Sequence, residues 1–409
     1  MRKPLVILVL AVPLLSGCGK MSEGRGEARL DHAIGEGDWQ RIRETANTGQ
    51  ARYPNDPFMA FLRWEASWHL GDVQGTVAAG HVLVGTRQPK RPDLRVIPQW
   101  VAGLTKRNPD SARAWQVAAD GYRWSGQYDE AEKAAKEAVR LGPEDWASWA
   151  VRGMTEKDQG AAVKDFTRGL SCKPAAAYLY GARARAYLAL GEVDQGVADV
   201  NREIELAPRA PSPHGDLAQV YLGRRQLDRA LAEANREIGL DPDGDGGYSV
   251  RSCALCALGD FKSALRDANK FVELLPWDFA GFDYRAEIYA GLGDWEQAMR
   301  DANRAIDLDD RDWNAYLIRG EAYRKMHDLT HAVSDLTCCL ELVPEYVRAY
   351  CARGLARAEQ GEREAAQNDL GRALALSPEY TRAILKQNQK TLESEHVWPV
   401  VPVGASKGK

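Results

Sequence analysis

The residues best suited to chemistry lie in one acidic segment, Asp241-Pro242-Asp243-Gly244-Asp245-Gly246. Alternating carboxylates at this spacing match the first half of a calcium-binding loop, in which oxygen ligands converge on a hard cation. Such a loop needs a glutamate at its twelfth position, and Ser252 lies there instead. We therefore interpret the segment as an acidic turn, and a calcium-responsive binder is the less favoured alternative.

Two further patterns could support redox or metal chemistry. Cys253 and Cys256 form a CxxC pair, but redox pairs of this type follow a β-strand, and this pair lies within a predicted helix. His327 and His331 have the spacing of a helical zinc pair, yet they flank a predicted turn and have no glutamate between them. Both patterns are interpreted as structural, so no metal site is predicted.

The other cysteines, the motifs and the net charge of the sequence give little support to catalysis or to nucleic-acid binding. Cys339 and Cys351 are expected on adjacent helices, which leaves a disulfide open in an oxidising compartment. The sequence has no phosphate-binding loop, nucleophile elbow or convergent carboxylate pair. We therefore predict no enzyme and no cofactor. The formal net charge of −4 gives no electrostatic reason to bind nucleic acid.

The N-terminus differs from the rest of the chain. A basic start is followed by an apolar run of 11 residues over 5–15 and then by Ser16-Gly17-Cys18. This run is too short to span a membrane, which takes about 20 residues, and it has the layout of a secretory leader. Its ending resembles the lipobox of bacterial lipoproteins. The resemblance implies a signal peptide over 1–17, a lipid on Cys18 and a tether over 18–27.

The lipoprotein resemblance also implies a location. Two or more acyl chains hold a protein stably on a bilayer. In lipoprotein sorting an aspartate after the lipidated cysteine retains the protein at the inner membrane, and Gly19 follows Cys18 here. We therefore expect a lipid-anchored protein of the bacterial cell envelope, at the outer membrane and facing the periplasm, with the inner membrane left open.

Prolines divide most of the chain into regular periods. Successive prolines are 34 residues apart except between Pro143 and Pro174, where the gap is 31, and Asp310 takes the place of one proline. Proline cannot continue a helix, so each one marks the end of a helix pair. The prolines are Pro109, Pro143, Pro174, Pro208, Pro242, Pro276, Pro344 and Pro378.

Each period has the same internal pattern. Its first helix opens on an aromatic residue or histidine: Trp115, Trp149, Tyr180, His214, Tyr248, Phe282, Tyr316 and Tyr350. A small residue follows four positions later, on the same helical face. Another small residue recurs in the second helix: Ala131, Ala162, Gly196, Ala230, Ala264, Ala298, Ala332 and Ala366. Small residues at these positions let two antiparallel helices approach closely.

These periods resemble tetratricopeptide repeats (TPR). The resemblance implies an all-α fold, namely an α-solenoid in which helix-turn-helix repeats form a right-handed superhelix. Eight repeats are expected over 112–378. Diverged TPR-like helices over 28–111, with a loop at 85–98, would precede them. Over 379–409 we expect a capping helix, from about Tyr380 to Leu392, and a flexible tail.

One departure from the usual repeat is an arginine three residues after the opening aromatic, in Arg152, Arg183, Arg251, Arg285, Arg319 and Arg353. The second helices of the same repeats carry Asp165, Asp199, Asp267, Asp301, Asp335 and Asp369. Both charges are absent together at Ala118 and Ala134, and Leu217 with Glu233 is a mismatch. We therefore predict a bidentate pair within each of the six repeats.

The first helices of TPR arrays line a groove that usually binds a peptide or helix. The register places ten candidate partner-binding residues in this groove: Arg113, Asp120, Arg123, Trp124, Tyr178, Arg185, Asp283, Glu287, Glu321 and Arg324. Arg348 and Glu359 are expected beside them. The residues of the carboxylate clamp found in chaperone-binding TPR proteins are missing, and tryptophans cluster in the N-terminal third, where we expect a binding hot spot.

The resemblances together imply a function. We expect a membrane-anchored scaffold or adaptor that binds other envelope proteins through the groove and reaches the membrane through the lipid on Cys18. An assembly or regulatory factor for a secretion-type or pilus-type envelope complex is the alternative.

Overall fold

A computed structural model of the chain describes residues 29–86, 92–395 and 397. Every regular element within these residues is an α-helix. The chain forms two compact bodies, Met1–Val250 and Arg251–Lys409, here called the N-terminal body and the C-terminal body. Among the described helices, none combines the length and the apolar character needed to cross a bilayer.

In the described part of the N-terminal body, five helices precede the regular repeats. They are α1 (29–36), α2 (Trp39–Arg52), α3 (Pro57–Leu70), α4 (Val73–Val84) and α5 (Val96–Arg107). The repeats follow with α6 (Ala112–Trp124), α7 (Tyr128–Leu141), α8 (Trp146–Thr155), α9 (Gln159–Cys172), α10 (Ala177–Ala189), α11 (Val193–Leu206), α12 (Ser212–Gly223) and α13 (Leu227–Leu240). Helix α14 (Gly246–Ala257) contains the boundary between the bodies.

The C-terminal body continues the same pattern. Its helices are α15 (Phe261–Leu274), α16 (Phe279–Leu292), α17 (Trp295–Leu308), α18 (Trp313–Lys325), α19 (Leu329–Leu342), α20 (Val347–Glu359), α21 (Arg363–Leu376), α22 (Pro378–Gln387) and α23 (Gln389–Ser394). Helices α6 to α21 form eight consecutive pairs, here called repeats 1 to 8. The predicted helical solenoid of paired helices is therefore confirmed in each body.

Close approach of the two helices in a repeat depends on the small residues of the pattern. Ala298, Ala332 and Ala366 in the second helices are fully buried. In the first helices, a Cβ added at Gly320 would lie 2.7 Å from Cγ of Leu336, and one at Gly354 would lie 2.7 Å from Cγ of Leu370. Larger residues would therefore force the two helices of a repeat apart.

The opening aromatic residue is tied to the proline that ends the preceding repeat. Its indole or phenol donates a hydrogen bond to the carbonyl oxygen of the proline six residues earlier. The distances are 2.8 Å for Trp115–Pro109, 2.7 Å for Trp149–Pro143, 3.2 Å for Tyr180–Pro174, 3.3 Å for Tyr248–Pro242 and 3.1 Å for Tyr350–Pro344. This bond fixes the turn between repeats and explains why both residues recur at one period.

The predicted arginine–aspartate pairs are confirmed in all six repeats. In each, Nε donates to one carboxylate oxygen and Nη2 to the other, and the Nε bond is 2.7 Å in Arg183–Asp199 and Arg319–Asp335. In four of them Nη1 also donates to a residue on the second helix of the preceding repeat, namely Thr167, Asn269, Asn303 or Thr337. Each such guanidinium therefore joins three helices.

Repeat 4 has an acid but no arginine at these positions, and its acid has another partner. Glu233 stands in the aspartate position of repeat 4 and lies 2.8 Å from Nδ1 of His214, the opening residue of the same repeat. Arg236, one turn along the same helix, donates to the other oxygen of Glu233. The mismatch of Leu217 with Glu233 thus leaves no unpaired acid.

Two expected boundaries differ from the structure, and others lie outside the described residues. The loop predicted at 85–98 ends at Arg95, because Pro98 lies in the first turn of α5, where a missing N–H costs nothing. The single capping helix expected from Tyr380 to Leu392 is two helices, since Asn388 leaves helical geometry between α22 and α23. The signal peptide, tether, Cys18 and the end of the tail lie outside the described residues.

The short 31-residue period also has a structural explanation. Helix α8 has 10 residues, whereas the first helices α6 and α10 of its neighbours have 13 each. It ends at Thr155, and the next residue, Glu156, has an extended conformation. The three missing residues therefore shorten one helix and leave the pairing of repeat 2 intact.

Candidate functional site: the inner face of the repeats

The first helix of each repeat contributes to one face of its body, here called the inner face. In the N-terminal body this face is built by α6, α8, α10 and α12, and in the C-terminal body by α16, α18 and α20. The ten candidate residues predicted from the register fall on these helices or at their ends. The surroundings of these residues differ between the two bodies.

In the C-terminal body the candidate residues form two sets of ion pairs, both joining α18 and α20, which are here together called the charged network. Arg348 donates to both carboxylate oxygens of Glu321, at 3.0 and 2.8 Å, and to Glu287 at 3.3 Å. Arg324 donates to Glu359 at 2.7 Å. These five residues come from three consecutive first helices, so the structure brings together the side chains that the register placed in the groove.

Asp283, which precedes Glu287 by one turn on α16, has no cationic partner among the described residues. It is 8% exposed and accepts hydrogen bonds from the amide of Asn314 at 3.0 and 3.2 Å. Burial, reinforced by the nearby Asp312 carboxylate, raises the pKa of Asp283 to about 8. Because the carboxyl is largely protonated at neutral pH, a cation arriving beside it would favour its ionised form.

In the N-terminal body the inner face is covered by α3. Trp64 lies edge-on to Trp124, with ring centroids 5.7 Å apart. Trp68 contacts both Trp146, at 5.1 Å, and Tyr178, at 5.6 Å. The tryptophans predicted to form a hot spot therefore pack against each other across the inner face.

The charged residues under α3 are buried with these rings. Arg123 donates to Asp120 at 3.0 and 2.8 Å and lies over the rings of Trp64 and Trp124. Asp120 is 1% exposed. Burial raises its pKa, although Arg123 acts in the opposite direction.

The other two candidates have different surroundings. Arg185 donates to Asp216 at 3.0 Å, on the next first helix of the inner face. Arg113 donates to the carbonyl oxygen of Gly35 at 2.8 Å and lines a cleft of about 540 Å³ together with His32 and Asp145. Arg113 thus contacts the N-terminal helices and does not join the other candidates.

Two carboxylates were missed by the sequence analysis. Glu203 and Glu237 occupy equivalent positions in the second helices of repeats 3 and 4, where repeats 6 and 8 have alanine. Each packs against a glycine of its own first helix, and a Cβ at Gly181 or Gly215 would overlap the carboxyl group. The pairing of a glutamate with a glycine in two consecutive repeats was the available signal.

Glu203 should make the stability of the N-terminal body depend on pH. It is 6% exposed, and burial raises its pKa to about 8 from an ordinary value near 4.5. A raised acid pKa means that stability is fully present below pH 4.5 and is lost as pH rises through 8. Between pH 5 and pH 9 the free energy of unfolding of the wild-type protein should fall by an amount to which Glu203 contributes on the order of a few kcal/mol. We expect this contribution to be absent from the Glu203→Gln variant, as measured by urea unfolding at the two pH values.

The matched control for this experiment is Glu205→Gln, because Glu205 is exposed on the same helix. Its pH dependence should equal that of the wild-type protein. Equal pH dependence for the Glu203→Gln variant and the wild-type protein would contradict the assignment.

The residues of the motifs that could support metal or redox chemistry make contacts within the protein or lie buried in a helix. Asp241 of the acidic turn lies 2.9 Å from Nε2 of His81 in α4. Cys253 and Cys256 lie within α14, and burial raises their pKa values to about 11 and 12, which favours the unreactive thiols. No group of three metal-binding side chains occurs among the described residues.

The histidine pair and the second cysteine pair also lie in ordinary structural positions. His327 has a left-handed conformation in the turn before α19, and His331 pairs with Asp328 at 2.7 Å, as a surface turn requires. Cys339 and Cys351 are free thiols, so the disulfide left open above is not formed. Both are buried on packed helices, where a small apolar residue is what the repeat needs.

Comparison with known proteins agrees with this architecture. Tetratricopeptide repeat family patterns match residues 104–155, 182–245 and 347–380. No curated protein matches the chain significantly. Among solved structures, the anaphase-promoting complex assembly Cut9-Hcn1 is similar at 11% identity, with a TM-score of 0.51, over 90% of this chain and 89% of that chain.

Two further solved structures show weaker similarity. Yeast Tom70 has 13% identity and a TM-score of 0.48, over 84% of this chain and 90% of its own. YrrB, described as a TPR protein with an unusual peptide-binding site, has 20% identity and a TM-score of 0.37, over 47% of this chain and 97% of its own.

The fold defines a helical repeat protein made of stacked pairs of antiparallel helices. The period, the paired helices and the three family matches identify the chain as a tetratricopeptide repeat protein. Proteins of this family are typically non-enzymatic scaffolds, and membership supports a role in protein–protein interaction.

Proposed function

We propose that the protein is a lipid-anchored adaptor that binds envelope proteins through the inner face of its repeats. The observation that carries the binding site is the network around Arg348 in the C-terminal body. There Glu287 is half exposed and holds Arg348 by one longer contact of 3.3 Å, while Glu321 holds the same guanidinium by two shorter ones. Glu287 can therefore change partner at little cost.

The charge of this network indicates the chemistry of the partner. With Asp283 largely protonated, the carboxylates of Glu287, Glu321 and Glu359 stand against the two guanidiniums of Arg324 and Arg348, and Asp283 adds a fourth negative charge when it ionises. The excess favours a partner segment that presents lysine or arginine. Such a segment would pair with Glu287 and ionise Asp283, so both acids support binding of a basic side chain.

The proposed anchor rests on sequence. The apolar run over 5–15 and the following Ser16-Gly17-Cys18 support cleavage before Cys18 and acylation of its thiol. With two or more chains the lipid would hold the repeats at the membrane surface. We propose the outer membrane, facing the periplasm, because Gly19 follows Cys18.

Site-specific crosslinking in native membranes tests the binding face. A photo-reactive amino acid is placed at position 287 of the acylated full-length protein, where we expect it to crosslink to envelope proteins. The same amino acid at position 300, on the exposed side of α17, is the matched control and should not capture them. A second variant, Glu321→Lys, should reduce capture at position 287 at least about 10-fold, which corresponds to about 1.4 kcal/mol.

The outcomes separate the proposals. The same proteins at positions 287 and 300, or none at 287, would contradict the inner face as the binding site. Capture restricted to the components of one secretion or pilus complex would favour the assembly factor over a general adaptor. Cys18→Ser should release the protein from membranes, and continued membrane association of that variant would contradict the lipid anchor.

A further inference from the structure

We infer that α3 and α4 form a built-in occupant of the inner face of the N-terminal body, and that this face accepts in their place a helix with two aromatic residues four positions apart. The inference extends the proposed function, because it assigns a second partner-binding surface and says what fills it in the free protein.

The first observation is the burial of α3. Ten of its fourteen residues are buried, and they lie on every side of the helix: Phe58, Met59, Ala60, Phe61, Leu62, Trp64, Glu65, Ala66, Ser67 and Trp68. A helix in a stacked array is apolar along one stripe, whereas a helix that is buried all round is enclosed. The contacts of α3 therefore cannot come only from a neighbouring pair.

The second observation is the direction in which α3 and α4 run. Trp64 contacts repeat 1 at Trp124, and Trp68 contacts repeats 2 and 3 at Trp146 and Tyr178. His81 of α4 reaches Asp241, in the turn after repeat 4. In a solenoid each repeat contacts only its neighbours. The α3–α4 pair instead extends along four repeats, as a bound ligand would.

The third observation concerns polar atoms in the α3 contact. Both carboxylate oxygens of Glu65, Nε1 of Trp68, Oδ2 of Asp120 and Nε1 of Trp124 are buried and have no hydrogen-bond partner within the described part of the chain. Glu65 and Trp68 are 1% and 6% exposed. Burying such groups unpaired is costly, so this contact is weaker than its apolar area implies.

The contact between the repeats themselves is different. The guanidiniums of Arg183 and Arg353 each make three hydrogen bonds across helices. A helix whose buried polar groups lack hydrogen bonds is held less firmly than its apolar contacts alone would hold it, which suits it to exchange with another helix. Burial, with a contribution from Asp120, also raises the pKa of Glu65, in agreement with a carboxyl group that accepts no hydrogen bond and has Nε2 of His69 only at 3.9 Å.

The chemistry of the replacing partner follows from what the face now holds. Trp64 and Trp68 are one helical turn apart and are the residues of α3 whose rings contact Trp124, Trp146 and Tyr178. A partner helix with aromatic residues at this spacing would occupy the same places. Hot spots of helix-in-groove interfaces are commonly of this type.

Competition with a peptide tests the inference on the full-length protein. The probe is a fluorescent synthetic peptide with the sequence of residues 57–84, followed by anisotropy. Where the built-in helix covers the face in most molecules, the apparent affinity for the probe is the intrinsic affinity multiplied by the fraction of molecules whose face is free. We expect Trp68→Ala to bind the probe at least about 10-fold more tightly than the wild-type protein, because it weakens only the built-in occupant.

Two further variants make the result decisive. His81→Gln loosens the far end of α4 without touching the tryptophans, and should tighten probe binding in the same direction by about 3-fold. Tyr128→Ala removes an aromatic ring that is 62% exposed on α7 and should leave probe binding unchanged. Circular dichroism establishes that each variant keeps the helix content of the wild-type protein.

Each outcome supports or overturns the inference. Equal binding by the wild-type and Trp68→Ala proteins, or no binding by either in the folded state, would overturn it. So would hydrogen exchange in α3 and α4 as slow as that in α10 and α11. A dimer formed by exchange of α3–α4 between two copies would support it. Crosslinking at position 287 reports on the C-terminal body alone, so the two proposals can fail separately.

Discussion

Replacing Arg319 with leucine is expected to destabilise the C-terminal body by about 3–5 kcal/mol, since it leaves a buried carboxylate without its cation. Asp335 is 7% exposed and receives two hydrogen bonds from Arg319. Asn303 on the preceding second helix would lose a donor at the same time. Urea unfolding followed by circular dichroism measures the loss, and hydrogen exchange should place it in α18 and α19.

A double variant separates the pair from its surroundings. Arg319→Leu with Asp335→Leu removes both charges, and we expect it to regain most of the stability, because replacing a buried pair by apolar residues is often neutral. Repeat 1 shows that this is compatible with the fold, since Ala118 and Ala134 are buried there. Arg300→Leu, on an exposed position, should stay within about 0.5 kcal/mol of the wild-type protein. Equal losses in the single and double variants would contradict the assigned pair.

The arginine–aspartate pairs were predictable because repeats provide an internal comparison. Both charges disappear together at Ala118 and Ala134, and the spacing shortens by three residues where the period does. The prolines that end the repeats and the aromatic residues that open the first helices could be assigned to their positions for the same reason. An interaction that is repeated in several repeats leaves the same residues at the same period, and so can be predicted from the sequence.

The position of α3 could not be predicted, because it has no second example in the chain. The register assigned Asp120, Arg123, Trp124 and Tyr178 to an inner face but carried no information about what covers that face. Helical periodicity reports which side of a helix is apolar, and α3 is apolar on nearly every side. The cluster of tryptophans indicated a contact surface. It could not show that the inner face and the helix packed against it belong to the same chain.

Small residues at the helix crossing were predicted from the pattern, and one of them gives the second large effect. Ala366→Leu is expected to destabilise repeat 8 by about 2–3 kcal/mol, because overpacking a buried crossing forces the helices apart. Ala366 is fully buried, and its carbonyl oxygen would lie 3.3 Å from a Cβ at Gly354 on the opposite helix.

Thermal unfolding followed by circular dichroism measures this loss, and Ala365→Leu is the control. Ala365 is the adjacent residue of α21 and is only partly buried, so the same side chain can turn toward solvent there and should cost less than about 0.5 kcal/mol. Similar losses at positions 365 and 366 would mean that added volume anywhere in α21 is harmful. A loss confined to Ala366 would instead show that the closeness of the two helices, which the small residue permits, is what the repeat pattern preserves.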